Sequence, residues 1–263
     1  MEGKRVILTG AAGGIGANLA RLLAADGASL CLTDLNGSAL DDLCGSLASD
    51  RVLGVTADIC CPEDRGEIVG RILDRFGGVD VLINAAGINP FGVFAKTDPG
   101  VIQKTFEINV LSAMLLTREV LPDMLSRENG QIVNIGSTFG SIGFAWFSTY
   151  SASKFALRGF SQALRRELAD SGIEVIYIAP RGVRTAINSP AVYRMAEATR
   201  MQMDEPDAVA RQIYQGMRRG RKERYLGFPE SLFVRINSVL PGIVDRATRK
   251  QNRAARIYAD TAG

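Results

Sequence analysis

Along the chain, short runs of consecutive apolar residues alternate with longer stretches in which apolar positions return every three or four residues. The runs KRVILTG, SLCLTD, RVLGVTAD, VDVLINAAG, GQIVNIGS, IEVIYIAP and ERYLGF are rich in Val, Ile and Leu, the pattern of strands covered on both faces of a parallel sheet. Between them, IGANLARLLAADG and TYSASKFALRGFSQALRRELADSG have helical periodicity, and each ends at a glycine, Gly27 and Gly172. Strand, helix, strand repeated down the chain predicts right-handed crossovers and an α/β, doubly wound, three-layer fold around a mostly parallel seven-stranded sheet. No linker, low-complexity tract or internal repeat interrupts the pattern, so residues 1–263 are expected to form one domain.

Composition adds bounds. A chain of 263 residues, 46% hydrophobic and 22% charged, has the make-up of a soluble globular protein. Cys31, Cys44, Cys60 and Cys61 offer no disulfide framework and, with no histidine, no usual zinc spacing, so no metal is expected. MEGKRVILTG runs straight into a strand-like stretch without a targeting pattern, and no segment approaches the roughly 20 apolar residues of a spanning helix, so a cytoplasmic location is expected. The net charge of +3 is unevenly spread: residues 218–256 hold eleven Lys/Arg against Glu223, Glu230 and Asp245, which leaves the remainder net acidic. This segment reads as a solvated helix face that pairs with acidic neighbours; nucleic acid is not expected as a partner, and contact with an anionic membrane stays open.

The candidate chemistry begins after the first strand, where TGAAGGIG leads into a helix. Gly10, Gly14, Ile15 and Gly16 are placed to make a tight turn and bring a pyrophosphate to the helix N-terminus. Asp34, ending the second strand, is placed to accept hydrogen bonds from ribose hydroxyls and to repel a 2′-phosphate, which selects NAD rather than NADP. Asp58 and Ile59 follow the third strand, and Asn84, Ala85 and Gly87 the fourth, at the carboxyl ends where open α/β sheets bind ligands.

With no imidazole in the chain, another group must move protons at neutral pH. In YSASK, Tyr150 and Lys154 are four residues apart and share one helix face. TGAAGGIG, Asp58, NAAG, Asn109 in EINV, Ser137 and YSASK together resemble, in order and spacing, the short-chain dehydrogenase/reductase family over essentially the whole chain. The resemblance implies a Rossmann-type oxidoreductase with Tyr150 as acid/base and Ser137 polarising the substrate oxygen. Lys154 would bind the nicotinamide ribose and lower the tyrosine pKa, and Asn109 would hold a water in a proton relay. Asn109 alone also reads as a mid-helix amide bonded to backbone.

After the sixth strand the family usually has Pro-Gly and then a threonine, whereas this chain reads PRGVRT. Pro180, Val183 and Thr185 match as nicotinamide contacts. Arg181 replaces the glycine and could bind an acidic substrate group or the cofactor diphosphate, or simply point outward. Phe139, Phe144 and Trp146, with Phe147, lie in the loop before Tyr150 and suggest an apolar pocket wall. Residues 186–205 have the position of the family's substrate lid. Residues 229–263 form a basic amphipathic tail, with Leu232, Phe233, Ile236, Val239, Leu240, Ile243 and Val244 expected to cover the aromatic loop. The function expected is hydride transfer between NAD(H) and a hydrophobic secondary alcohol or ketone bearing an acyl chain or ring; the alternative is a catalytically silent dinucleotide-binding regulator. Apolar residues on more than one face of the helices around Met114 and Lys154 predict a homodimer or homotetramer.

Overall fold

The structure is a computed structural model that describes residues 1–260; the last three residues of the expected tail lie outside the described residues. Seven strands, β1 Arg5–Thr9, β2 Ser29–Asp34, β3 Val52–Thr56, β4 Val81–Asn84, β5 Gly130–Ile135, β6 Ile173–Ala179 and β7 Glu223–Tyr225, form one sheet in the order β3-β2-β1-β4-β5-β6-β7. Every pairing is parallel.

The strands read as uniformly apolar because successive residues feed two different cores. Val6, Leu8, Leu30, Leu32, Val81 and Ile83 point to one face, covered by α1 Gly14–Ala25, α2 Gly37–Leu47 and α8 Pro206–Arg218. Ile7, Cys31, Leu82 and Ile132 point to the other, covered by α3 Pro62–Phe76, α5 Ser112–Ser126 and α6 Ser148–Glu167. The chain reverses direction across the sheet between β1 and β4, which opens a crevice at their carboxyl ends.

Four further helices frame that crevice. α4 Pro99–Phe106 continues into α5 through a π-helical stretch, Glu107–Leu111. α7 Pro190–Thr199 lies within the expected lid, capped by Ser189 on the N–H of Val192. In the tail, α9 Glu230–Val239 and α10 Pro241–Asp260 follow β7. A third apolar cluster joins Phe147 to Val192 and Met195 of α7 and Ala255 of α10, with Phe91, Phe139, Phe144 and Tyr150 packed against it. Lid and tail thus meet over the loop that precedes Tyr150.

The tail docks, but by a different face from the one its apolar pattern suggests. Val244 is buried, with Ala255 and Ala259, whereas Leu232, Phe233, Val239, Leu240 and Ile243 are exposed and Ile236 is half-buried. The inward face of α10 is built largely from small or polar residues, Thr248, Gln251, Asn252 and Ala255, because it lies close against α7 and the aromatic loop. Among the described residues, no helix is long and apolar enough to cross a membrane.

Candidate active site

The glycine turn folds tightly over the end of β1. Gly10 has φ +64°, and a Cβ there would lie 2.8 Å from the Cα of Ala86; a Cβ on Gly16 would lie 2.1 Å from the Gly10 carbonyl oxygen. Neither position admits a side chain without moving backbone. Thr9, which the sequence pattern did not single out, fixes the facing loop: its hydroxyl accepts hydrogen bonds from the N–H groups of Ala85 and Ala86, at 3.1 and 3.2 Å.

A cavity of ≈ 500 Å³ lies over this turn, and Gly10, Gly14, Ile15, Gly16, Asp34, Asp58, Ile59, Ala85, Gly87 and Thr185 are all among its walls. Asp34 accepts one backbone N–H on each carboxylate oxygen, from Ala12 and from Asn36, both at 3.0 Å. It therefore ties the glycine turn to the β2–α2 turn while each oxygen retains a lone pair for a hydroxyl donor. Asp58 is held below its usual carboxylate range, first by the N–H of Cys60 and also by Lys104, whose Nζ is 3.8 Å from it. Among the described residues the cavity walls include no lysine or arginine, and the Thr33 hydroxyl in them is fully buried with no partner among those residues. An elongated polar ligand with sugar hydroxyls suits this lining.

Asn84 takes no part in that cavity, contrary to its expected place as a cofactor contact. At the end of β4 its side chain points into the helical layer, where its amide donates to Asn134 Oδ1 at 2.8 Å and, at 3.4 Å, to Thr117 Oγ1. Asn134 in turn donates to Ser161 Oγ at 2.9 Å, so a buried polar chain crosses from β4 to α6.

Ser137, Tyr150 and Lys154 converge on an adjoining cavity of ≈ 110 Å³ that also reaches Pro180, Val183 and Thr185. Tyr150 and Lys154 share a face of α6; the Lys154 ammonium is 5.8 Å from the Tyr150 ring centroid and donates to the Ile135 carbonyl at 3.0 Å. Desolvation pushes Tyr150 up to about 12, partly offset by its hydrogen bond with Ser137, and burial pushes Lys154 down to about 8. In the chain by itself the phenol is thus held protonated. The causes of the Tyr150 shift are burial and Ser137, and the Lys154 ammonium uses one of its three N–H donors on the end of β5.

Asn109 sits in the π-helical stretch, buried, with its amide oxygen accepting from Ile88 N at 2.8 Å. Its amide nitrogen donates to Ile88 O at 2.9 Å and to Ser153 Oγ at 3.0 Å. The wider turn of a π-helix aims this side chain at the loop after β4 rather than along the helix. The backbone-bonded reading therefore describes its side chain, which clasps the loop that borders the catalytic cavity.

A second residue outside the sequence reading positions Ser137. The Tyr177 hydroxyl, on β6, donates to Ser137 O at 3.2 Å and accepts from Ser137 N at 3.3 Å. The only trace in the sequence is one phenol in an otherwise apolar strand, IEVIYIAP.

Arg181 lines the catalytic cavity, but its guanidinium is taken up by carboxylates of the chain rather than turned to open solvent. Its guanidinium makes a two-pronged contact with Asp204, Nε–Oδ2 3.0 Å and Nη2–Oδ1 2.7 Å, and Nη1 reaches Glu230 Oε2 at 2.9 Å and the Phe228 carbonyl at 3.0 Å. It joins the loop after β6 to the end of the lid and the start of α9. Of the aromatic residues, Phe139 and Phe147 line the catalytic cavity; Phe144 lines a neighbouring chamber of ≈ 300 Å³ that also touches Phe139, Met201, Phe233 and Val244. Trp146 lies outside both, its indole N–H donating to the Asn252 carbonyl of α10 at 2.9 Å.

The family model for short chain dehydrogenases matches residues 4–195. The chain is 35% identical to dehydrogenase/reductase SDR family member 7B of Bos taurus over 266 aligned residues, 95% of this chain and 82% of that protein. A short-chain dehydrogenase from Streptomyces avermitilis superposes with a TM-score of 0.80 at 30% identity, covering 95% of this chain and 97% of that one. A 3-ketoacyl-(acyl-carrier-protein) reductase from Brucella melitensis, complexed with NADH, gives 0.79 at 25% identity over 86% of this chain and 96% of that one.

Proposed function

The chain belongs to the short-chain dehydrogenase/reductase family, and from that premise we propose that it is an NAD(H)-dependent oxidoreductase acting on a lipophilic secondary alcohol or ketone. The observation that carries the proposal is the convergence of Ser137, Tyr150 and Lys154 on one small cavity that adjoins the glycine-turn cavity. The nicotinamide would supply the hydride donor or acceptor. Ser137 would hold the substrate oxygen, and Tyr150, protonated in the resting chain, would give its proton to that oxygen during reduction and take it back during oxidation. The short reach from Lys154 to the Tyr150 ring lets the ammonium stabilise the phenolate once Tyr150 has given up its proton.

The Asp34 carboxylate and the absence of a basic side chain from the walls around it favour NAD over NADP. The Brucella melitensis reductase, which was complexed with NADH, is consistent with that preference. A lipophilic substrate is favoured by Phe139 and Phe147 in the catalytic cavity and by the neighbouring chamber under the tail, which has Phe139, Arg181, Gly182 and Met201 in common with its walls. The feature that could favour a catalytically silent binding protein, Arg181, is accounted for by its ion pairs. Leu111, Met114, Leu115 and Phe155 are exposed on neighbouring faces of the α5 and α6 region, which supports assembly into a homodimer or tetramer through these helices.

Tyr150→Phe, assayed across a panel of ketones and alcohols, should abolish turnover while leaving NADH affinity within a few-fold. Retained turnover would sink the mechanism, and tighter binding of NADPH than of NADH would sink the cofactor assignment.

A further inference from the structure

α9 is turned inside out. Leu232, Ile236, Val239 and Leu240 recur at helical spacing and form one apolar stripe, yet the side that meets the protein carries Val234, Asn237, which donates to the Ser141 carbonyl at 2.9 Å, and Glu230, held by Arg181. The stripe consequently faces solvent: Val239 is 75% exposed, Leu240 54% and Leu232 47%, with Phe228 at 74% just before the helix and Ile243 at 51% just after it. Soluble surfaces do not ordinarily gather large apolar side chains in this way.

The adjoining surface is basic. On α10 the exposed Ile243, Arg246, Lys250 and Arg253 recur at i, i+3, i+7 and i+10 and so share one outward stripe, with Arg249 beside them and Arg235 at the edge of the α9 stripe. Beside this surface lies the chamber bounded by Phe233, Val244 and Ala247, which shares Phe139, Arg181, Gly182 and Met201 with the walls of the catalytic cavity.

We propose that the α9–α10 hairpin docks on an anionic lipid surface, inserting Phe228, Leu232, Val239, Leu240 and Ile243 while Arg235, Arg246, Lys250 and Arg253 pair with headgroups. Charge selects this occupant. A second copy of the chain seated on the same face about a two-fold axis would bring the basic stripe of Arg246, Lys250 and Arg253 against the same stripe of its partner, whereas an anionic bilayer offers both an apolar layer and compensating charge. The chamber at the edge of the docked face would then open toward the membrane.

The test is co-sedimentation of the full-length protein with vesicles of phosphatidylcholine mixed with phosphatidylglycerol and with vesicles of phosphatidylcholine alone. The mixed vesicles should pellet the protein and the neutral ones far less. Arg246→Gln/Lys250→Gln should weaken binding about twentyfold, and Leu240→Ser/Ile243→Ser by a comparable factor, with melting temperatures unchanged. Because pelleting and melting read no turnover, the outcome is separate from that of the proposed reaction. Protein that stays in the supernatant with both vesicle types overturns the inference. So does pelleting that is equal for both and indifferent to the substitutions, and so does a wild-type self-association, seen without vesicles, that the substitutions abolish, which would make this face an interface between copies.

Discussion

Replacing Arg181 by the glycine usual in the family should harm this chain. The side chains concerned are mostly shielded, Arg181 14% exposed, Asp204 21% and Glu230 28%, and the guanidinium makes four hydrogen bonds, three of them to carboxylates. Breaking a fully buried pair costs about 3–5 kcal/mol and an exposed one about 0–1, so this partly buried fork sits near 2–3 kcal/mol, to which the flexibility of glycine adds somewhat less than 1. In a chain of this size that corresponds to a drop in melting temperature of roughly 5–10 °C. The expected signature is wider than a stability loss, since Asp204 also bonds its backbone to Gly182 and Arg184 at the edge of the catalytic cavity, N to Gly182 O at 2.8 Å and O from Arg184 N at 2.9 Å. Arg181→Gly should therefore raise KM for the ketone more than for NADH. Differential scanning fluorimetry and steady-state kinetics measure both, with Arg181→Lys, which keeps charge but not the fork, falling between. An Arg181→Gly protein that melts within a degree of wild type and keeps its KM would show that the ion pairs are ornamental.

Tyr177→Phe strips the buried Ser137 N–H of its partner, while Ser137 O keeps Gly140 N at 2.9 Å; it should lower stability by about 1–2 kcal/mol and kcat about tenfold, with NADH affinity unchanged, and an unaltered kcat would refute a positioning role. Lys154→Met should kill turnover but stabilise the fold at pH 7. The folded pKa of about 8 lies below the ordinary 10.5, so the unfolded chain holds the proton more strongly and the native state carries a deficit of about 3 kcal/mol that disappears as pH rises from 8 to 10.5. Urea unfolding should accordingly show the gap between Lys154→Met and wild type closing over that window, and a constant gap would count against it. Thr248→Phe, which fills the chamber beneath α10, should reduce kcat/KM for long-chain ketones tenfold or more and spare short ones; equal losses for both would assign the chamber no part in substrate binding.

Elements governed by local pattern were legible in the sequence. SLCLTD matches β2 residue for residue, and the glycine turn, Asp34 and the Tyr150–Lys154 pair lie at the sheet's carboxyl edge because their places depend on short-range order and on where each strand stops. What stayed hidden depends on partners distant in sequence. The facing of Asn84 is decided by whether one strand-end residue points toward the crevice or toward Asn134, fifty positions away. Arg181 needed the knowledge that Asp204 and Glu230 come to it, and Tyr177 that its ring would lie under Ser137. The rotation of α9 runs against its own amphipathic signal, because Glu230 and Asn237 find polar partners on the protein that the apolar stripe cannot use.

Trp146 is the chain's single tryptophan, and its indole is clipped to the backbone of α10 by one hydrogen bond across 106 positions of sequence. Any emission excited at the red edge of the absorption band therefore originates at the seam between the tail and the loop that carries the catalytic tyrosine. The molecule contains its own optical gauge of whether that seam is shut. Lifting α10 away would hydrate the indole and move its fluorescence to longer wavelength, while melting of β1, β2 or β3 with the seam intact would leave the colour of the light unchanged. Tail movement during ligand or lipid binding could thus be followed in real time without attaching a dye.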